Sequence, residues 1–172
     1  VGDIVTRWWG AAHAHYPQVA HYEIDPLLLI KVAAAGIAFG LTSIAFVELT
    51  HGIKQLQRTL IKYPPLRSLI GGVVILALTF LLGTTDYLGL SLPLIQQSVS
   101  GAGVEPFAFL LKLIFTAITL GSGFLGGEVT PLFVIGATLG YSLGNLLGVD
   151  PALLASLGFV AVFAGASNTP LA

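Results

Sequence analysis

The stretch 121-GSGFLGGEVTPLFVIGATLG-140 sets one carboxylate, Glu128, among glycines at 121, 123, 126 and 127, three residues ahead of Pro131 and at the head of a long apolar run. A proline fits the first turn of a helix, where its missing N–H leaves no bond unmade. Gly126 and Gly127 permit a tight, non-helical entry into that turn. The N–H groups of Glu128, Val129 and Thr130 then have no carbonyl four residues back to bond, and a helix start also carries partial positive charge. Free amides and that dipole make an anion site without lysine or arginine. A full cation would hold a passing anion too firmly to release it.

The rest of the chain says where this helix lies. Of the 172 residues, 55% are hydrophobic and 9% are charged, and the mean hydropathy is +0.92. Soluble domains carry roughly 25% charged residues, so this composition describes an integral membrane protein. A net charge of −1 with scattered basic residues offers neither a nucleic-acid surface nor a polybasic lipid-binding segment. With no cysteine there is no disulfide and no thiolate metal site, and the redox compartment stays open. No cofactor or metal motif is present. The lack of an initiator methionine, and a chain that begins and ends inside apolar stretches at Val1 and Ala172, lead us to expect part of a longer protein; no amino-terminal signal segment is recognisable.

Charged and proline-rich stretches divide the chain into apolar blocks. Residues 1–25 carry Trp8, Trp9, Tyr16, Tyr22 and three histidines, and read as a helix end followed by an interfacial loop. A long helix is expected over about 26–57, then a break at the prolines of KYPPLRS. A second span follows over about 66–82, a short helix at 91–99 inside a glycine-rich loop, and helices over about 105–120, 129–147 and 151–164. The 105–120 block is about 24 Å long as a helix, short for a bilayer. Short, glycine-interrupted segments suit a transporter in which broken helices aim their termini at a substrate, although tilted or re-entrant spans give the same pattern. Gly136, Gly140, Gly144 and Gly148 recur every four residues, as do Gly36 and Gly40, and that spacing lets helix backbones approach closely.

Two readings of Glu128 remain. A glutamate near a helix start is favourable in itself, and Thr130 could cap a frayed first turn. At membrane depth, however, a carboxylate marks a functional site. Other polar residues have ordinary readings. His13, His15 and His21 fit a wet interfacial loop better than a metal cluster. Glu48 and His51, three apart on one helix face, could relay protons or simply solvate a helix end. Asp86 reads as a turn or cap residue. An intramembrane serine protease would need Ser43 or Ser122 within hydrogen-bond reach of His51. Ser43 lies about 12 Å from His51 along the helix axis, and Ser122 would need a tertiary contact. A purely structural subunit would leave Glu128 without a role.

The quoted stretch resembles the segment of the CLC family of chloride channels and anion/proton exchangers in which glycines and a G-x-F-x-P motif open a pore-facing helix. Here the motif reads Gly127-Glu128-Val129-Thr130-Pro131. GLTSIAFVEL resembles the first long helix of the family's second repeat, DYLGLSLPLI the loop and short helix after it, and GASNTPLA the penultimate core segment. The resemblance implies an all-α CLC-type inverted-repeat bundle of tilted and broken helices, with residues 1–172 as a second-repeat fragment that does not transport alone. It implies an anion bound by the amides of Glu128, Val129 and Thr130, with Gly126, Gly127 and Pro131 as scaffold. The chloride-handling members have an aromatic where Val129 stands and no acid at Glu128. Gly-Glu-Val-Thr-Pro is instead similar to the fluoride/proton antiporter branch. Fluoride is small and tightly hydrated, so stripping its water demands strong donors, which Thr130 and a protonated Glu128 would supply. The implied partners are a small inorganic anion (fluoride or chloride), protons, the lipid bilayer, and a second subunit in a homodimer with one pore each. The implied setting is the bacterial inner membrane. A chloride/proton exchanger or voltage-gated chloride channel of the same fold is the alternative. The family's gating glutamate and late pore tyrosine would lie outside these residues.

Overall fold

A computed structural model describes residues 25–169, so the aromatic and histidine-rich stretch before Asp25 lies outside the described residues. Among the described residues six helices follow one another: α1 Pro26–Leu60, α2 Pro64–Leu82, α3 Leu92–Ser100, α4 Ala108–Gly121, α5 Val129–Leu147 and α6 Pro151–Ser167. Three of them, α1, α2 and α5, are long and apolar enough to cross a membrane. The shorter apolar helices α4 and α6, of 14 and 17 residues, reach about 21 and 26 Å, less than the roughly 30 Å of a hydrocarbon core.

The punctuation is chemical. Pro26, Pro64 and Pro151 each sit at the first helical position, where a missing N–H is harmless. Gly83, Gly101 and Gly148 end their helices in the left-handed region, at φ of 68°, 71° and 62°, which costs a glycine nothing. The helices run one to three residues beyond several expected ends: α1 continues to Leu60, α2 begins at Pro64 and α6 continues to Ser167. The 105–120 block starts later, at Ala108, because residues 105–107 form a turn ahead of the first helical bonds.

Helix α5 runs through the middle. On one side Leu132, Ile135 and Leu139 pack with Ala35, Phe39 and Phe46 of α1, Leu113 of α4 and Leu154 and Val162 of α6. On the other, Val134 and Ala137 join Leu94, Ile95 and Val99 of α3 and Phe115 of α4. The α5–α6 hairpin is closest of all. A Cβ at Gly136 would overlap the carbonyl of Gly158, one at Gly140 the carbonyl of Leu154, and one at Gly144 would stand 2.5 Å from Pro151 Cα. The four-residue glycine spacing in α5 therefore marks backbone-to-backbone contact. Phe133 and Phe159 stack across the same seam, 4.1 Å between centroids.

The matching pair in α1 behaves differently. A Cβ at Gly36 or Gly40 would meet nothing within 4 Å among the described residues, and Ile37, Leu41 and Ile44 beside them are exposed. Helix α2 buries only Gly71, which faces Ser122, and it turns Phe80 and Leu81 outward.

Candidate anion site

Helix α4 ends at Gly121 and the chain reverses through residues 122–128 before α5 begins. Ser122 anchors the reversal: its hydroxyl accepts from Gln57 Nε2 at 2.8 Å and its carbonyl accepts from Ser68 Oγ at 3.1 Å, tying it to α1 and α2. Gly123 takes a φ of 88°, the one position here that a side chain would strain. Gly126 and Gly127 are non-helical, as expected of the entry to this helix. Neither has a positive φ, and a Cβ on either would meet nothing within 4 Å. They also border the space beside the helix start.

Glu128 is the residue before α5, and its carboxylate makes no capping bond. Its backbone explains why. At φ −86° and ψ −24° it is already helical, whereas a capping residue is extended so that its side chain can reach back to the amides of the first turn. Among the described residues, the amides of Glu128, Val129 and Thr130 have no hydrogen-bond acceptor, and the Thr130 hydroxyl has no partner. The capping alternative is not what these residues do. Glu128 and Val129 are exposed, Thr130 is half-buried, and Pro131 and Leu132 are buried.

This helix start separates two cavities. One, of about 260 Å³, is lined by Gly126, Gly127 and Pro131 together with Lys112, Thr116 and Thr119 of α4 and the loop 87–90. The other, of about 220 Å³, is lined by Glu128, Val129 and Leu132 with Thr50 and His51 of α1 and Ser167 of α6. Of the six expected site residues, Gly126, Gly127 and Pro131 line the first cavity, Glu128 and Val129 the second, and Thr130 neither. The glycines and proline face one space and the carboxylate the other.

Lys112 was not among the expected site residues. It is 1% exposed, and its Nζ donates to Tyr87 O at 3.0 Å, Gly89 O at 2.6 Å and Ser91 Oγ at 2.8 Å. All three ammonium hydrogens are thus used by neutral acceptors, and the loop 83–91 is drawn onto α4. Ser91 sits in the left-handed region, φ 54°, and its own hydroxyl donates to Asp86 O. Asp86 lies in that turn, where its N–H bonds Thr84 Oγ1. Burial raises the Tyr87 phenol above its ordinary value, and Asp86 and Glu105 add to the effect, so the phenol stays protonated. A lone lysine inside FAFLLKLIFTAITL was the available signal.

The serine candidates are committed elsewhere. Ser43 Oγ bonds Phe39 O and Val162 O, and Ser122 Oγ bonds Gln57. Neither bonds His51. Among the described residues no group of acids and histidines could hold a metal ion.

The described residues thus form an all-helical membrane bundle whose central helix opens on unpaired amides between two cavities. The chain belongs to the voltage gated chloride channel family, whose model matches residues 1–172. It is 45% identical to the chloride/fluoride channel protein of Pseudomonas syringae pv. tomato over 178 residues, which takes in 100% of this chain and 39% of that protein. It is 31% identical to the H(+)/Cl(-) exchange transporter ClcA of Vibrio cholerae over 60% of this chain and 24% of that one. Among solved structures it is similar to a CLC-type fluoride/proton antiporter, with a TM-score of 0.88 and 32% identity over 96% of this chain and 42% of the other. The chain thus spans about two fifths of the length of the Pseudomonas protein and of the antiporter structure, and its match to ClcA takes in about a quarter of that protein.

Proposed function

We propose that residues 1–172 form the second half of a CLC-type membrane domain that exchanges fluoride for protons. The observation that carries this reading is the uncapped start of α5, with free amides at Glu128, Val129 and Thr130 and a carboxylate held off them. Backbone amides and the Thr130 hydroxyl replace the water of a small, strongly hydrated anion. Glu128, once protonated, adds a further donor and carries the proton of the exchange. Gly126, Gly127 and Pro131 hold the helix start open. The likeness to a fluoride/proton antiporter structure supports fluoride over chloride. In this reading the parent protein is a homodimer in the bacterial inner membrane with one pore per subunit. It needs no cofactor and catalyses no covalent chemistry beyond proton transfer.

A chloride/proton exchanger of the same fold is the second reading, favoured by the identity to ClcA. Reconstituting the full-length parent protein in liposomes and recording fluoride and chloride efflux separates them. Fluoride efflux far above chloride efflux, with protons moving the other way, is expected. Equal efflux of both halides would remove the fluoride assignment.

A further inference from the structure

The cavity on the carboxylate side of the α5 start has room for several waters, at about 30 Å³ each. Its polar lining is Thr50, His51, Glu128 and Ser167. Thr50 departs from its kind. Thr42, Thr59, Thr79, Thr116, Thr119 and Thr138 each donate to the carbonyl four residues back. Thr50 has a full helical turn behind it and does not, and its Oγ1 is buried without a hydrogen-bond partner. A buried hydroxyl left unpaired is costly, and a helical threonine has a second χ1 well available to it; turning into that well takes the hydroxyl out of its closed position, to hold a water in the cavity that Thr50 lines. Ser167 is different: its hydroxyl bonds Phe163 O and meets Thr169 Oγ1. The side chains of His51 and Glu128 bond no other described residue.

We propose that this cavity is a hydrated proton-exchange chamber in which His51 passes protons to and from Glu128 through water held by Thr50. The proposal rests on the reading of Glu128 as the proton carrier. In the loading step an imidazolium N–H bond of His51 breaks and its proton passes to a bridging water. That water gives up one of its own protons, which forms the O–H bond on the Glu128 carboxylate. The neutral imidazole then takes a proton from a hydronium at the exposed side of the cavity. No electrons are exchanged. Imidazole suits the task because one ring nitrogen can accept a proton while the other donates one. The ionisable residues flanking it on α1 are Glu48 and Lys54, and Glu128 lines the same cavity; of the helices packed on α1, α6 carries none, Lys112 of α4 is committed to Tyr87, Gly89 and Ser91, and Arg67 of α2 donates to Ile61 O.

The test records fluoride and proton fluxes together across a range of pH, in liposomes holding the full-length protein. His51→Gln is expected to slow proton-coupled fluoride flux by about tenfold or more and to flatten its pH profile. Thr50→Val should lower the same flux and Thr50→Ser should keep it. Wild-type rates and pH profile in His51→Gln, with coupling lost in Glu128→Gln, would overturn the chamber and leave the Glu128 reading standing. Unchanged coupling in Glu128→Gln would overturn that reading and the chamber with it. If His51→Gln does not yield monodisperse protein, the threonine pair decides: equal flux from Thr50→Val and Thr50→Ser overturns the chamber.

Discussion

Asp150 and Glu128 each precede a long apolar helix, and the two helices pack against each other along their glycine seam. At Asp150 the backbone is extended in ψ (119°), and Oδ1 accepts from the Ala152 amide at 2.9 Å. At Glu128 the backbone is already helical and the carboxylate reaches no amide. Asp150 satisfies its helix start from within. Glu128 leaves amides unsatisfied beside a cavity. The same charge at the same kind of position is thus a cap in one case and a candidate working group in the other, and the difference is set by the backbone angle of one residue together with one methylene.

That contrast depends on the hairpin holding both starts in place, so the most damaging change is to the seam. Gly140→Val would drive a side chain into the Leu154 carbonyl, and backbone cannot move aside as a side-chain tip can. A loss of about 3 kcal/mol or more is expected, read as failure to recover monodisperse protein. Normal yield and melting would show that the hairpin can separate, and the comparison between its two ends would lose its frame.

Lys112→Met acts on the opposite flank. It leaves the carbonyls of Tyr87 and Gly89 and the left-handed Ser91 without their donor, and we expect a loss of about 2–3 kcal/mol. Lys112→Arg, which keeps the charge but not the compact three-way geometry, should recover only part of it. A methionine variant as stable as wild type would mean that the loop 83–91 is held by Tyr87 and its neighbours alone.

These two residues also show what the sequence made legible. The glycine spacing in α5 announced close packing because small residues four apart have one main structural use in an apolar helix. The same spacing at Gly36 and Gly40 was equally readable, yet the described residues place nothing against it; spacing reports a smooth face without naming what lies on it. Glu128, Val129, Thr130 and Pro131 were legible because a helix start is a local event, written in consecutive residues. Lys112 and Thr50 were not, for a tertiary reason. Lys112 finds its acceptors more than twenty residues earlier in the chain, and Thr50 stands out by a bond it fails to make, which no pattern of residue types records. Gly126 and Gly127 were read as a non-helical entry to the helix, and they are non-helical; that they also border a cavity is a tertiary fact the local pattern does not carry.

Asp150→Ala removes a working cap. About 1 kcal/mol of stability should be lost, measured as a lower melting temperature in detergent, while transport per folded protein stays as it was. If transport falls as well, α6 is more than scaffold and the two helix starts are less separate in function than in geometry.

Glu128→Gln should have the smallest effect on stability, within about 0.5 kcal/mol of wild type, because no capping bond is lost and the residue is exposed. Glutamine keeps the length and the donor of a protonated glutamate but cannot release a proton, so the variant isolates the one property that Asp150 does not use. Fluoride movement should persist while its coupling to protons disappears. A stability loss as large as that of Asp150→Ala would mean the carboxylate was supporting the α5 amides after all. The backbone angle at residue 128 would then no longer distinguish a cap from a working group.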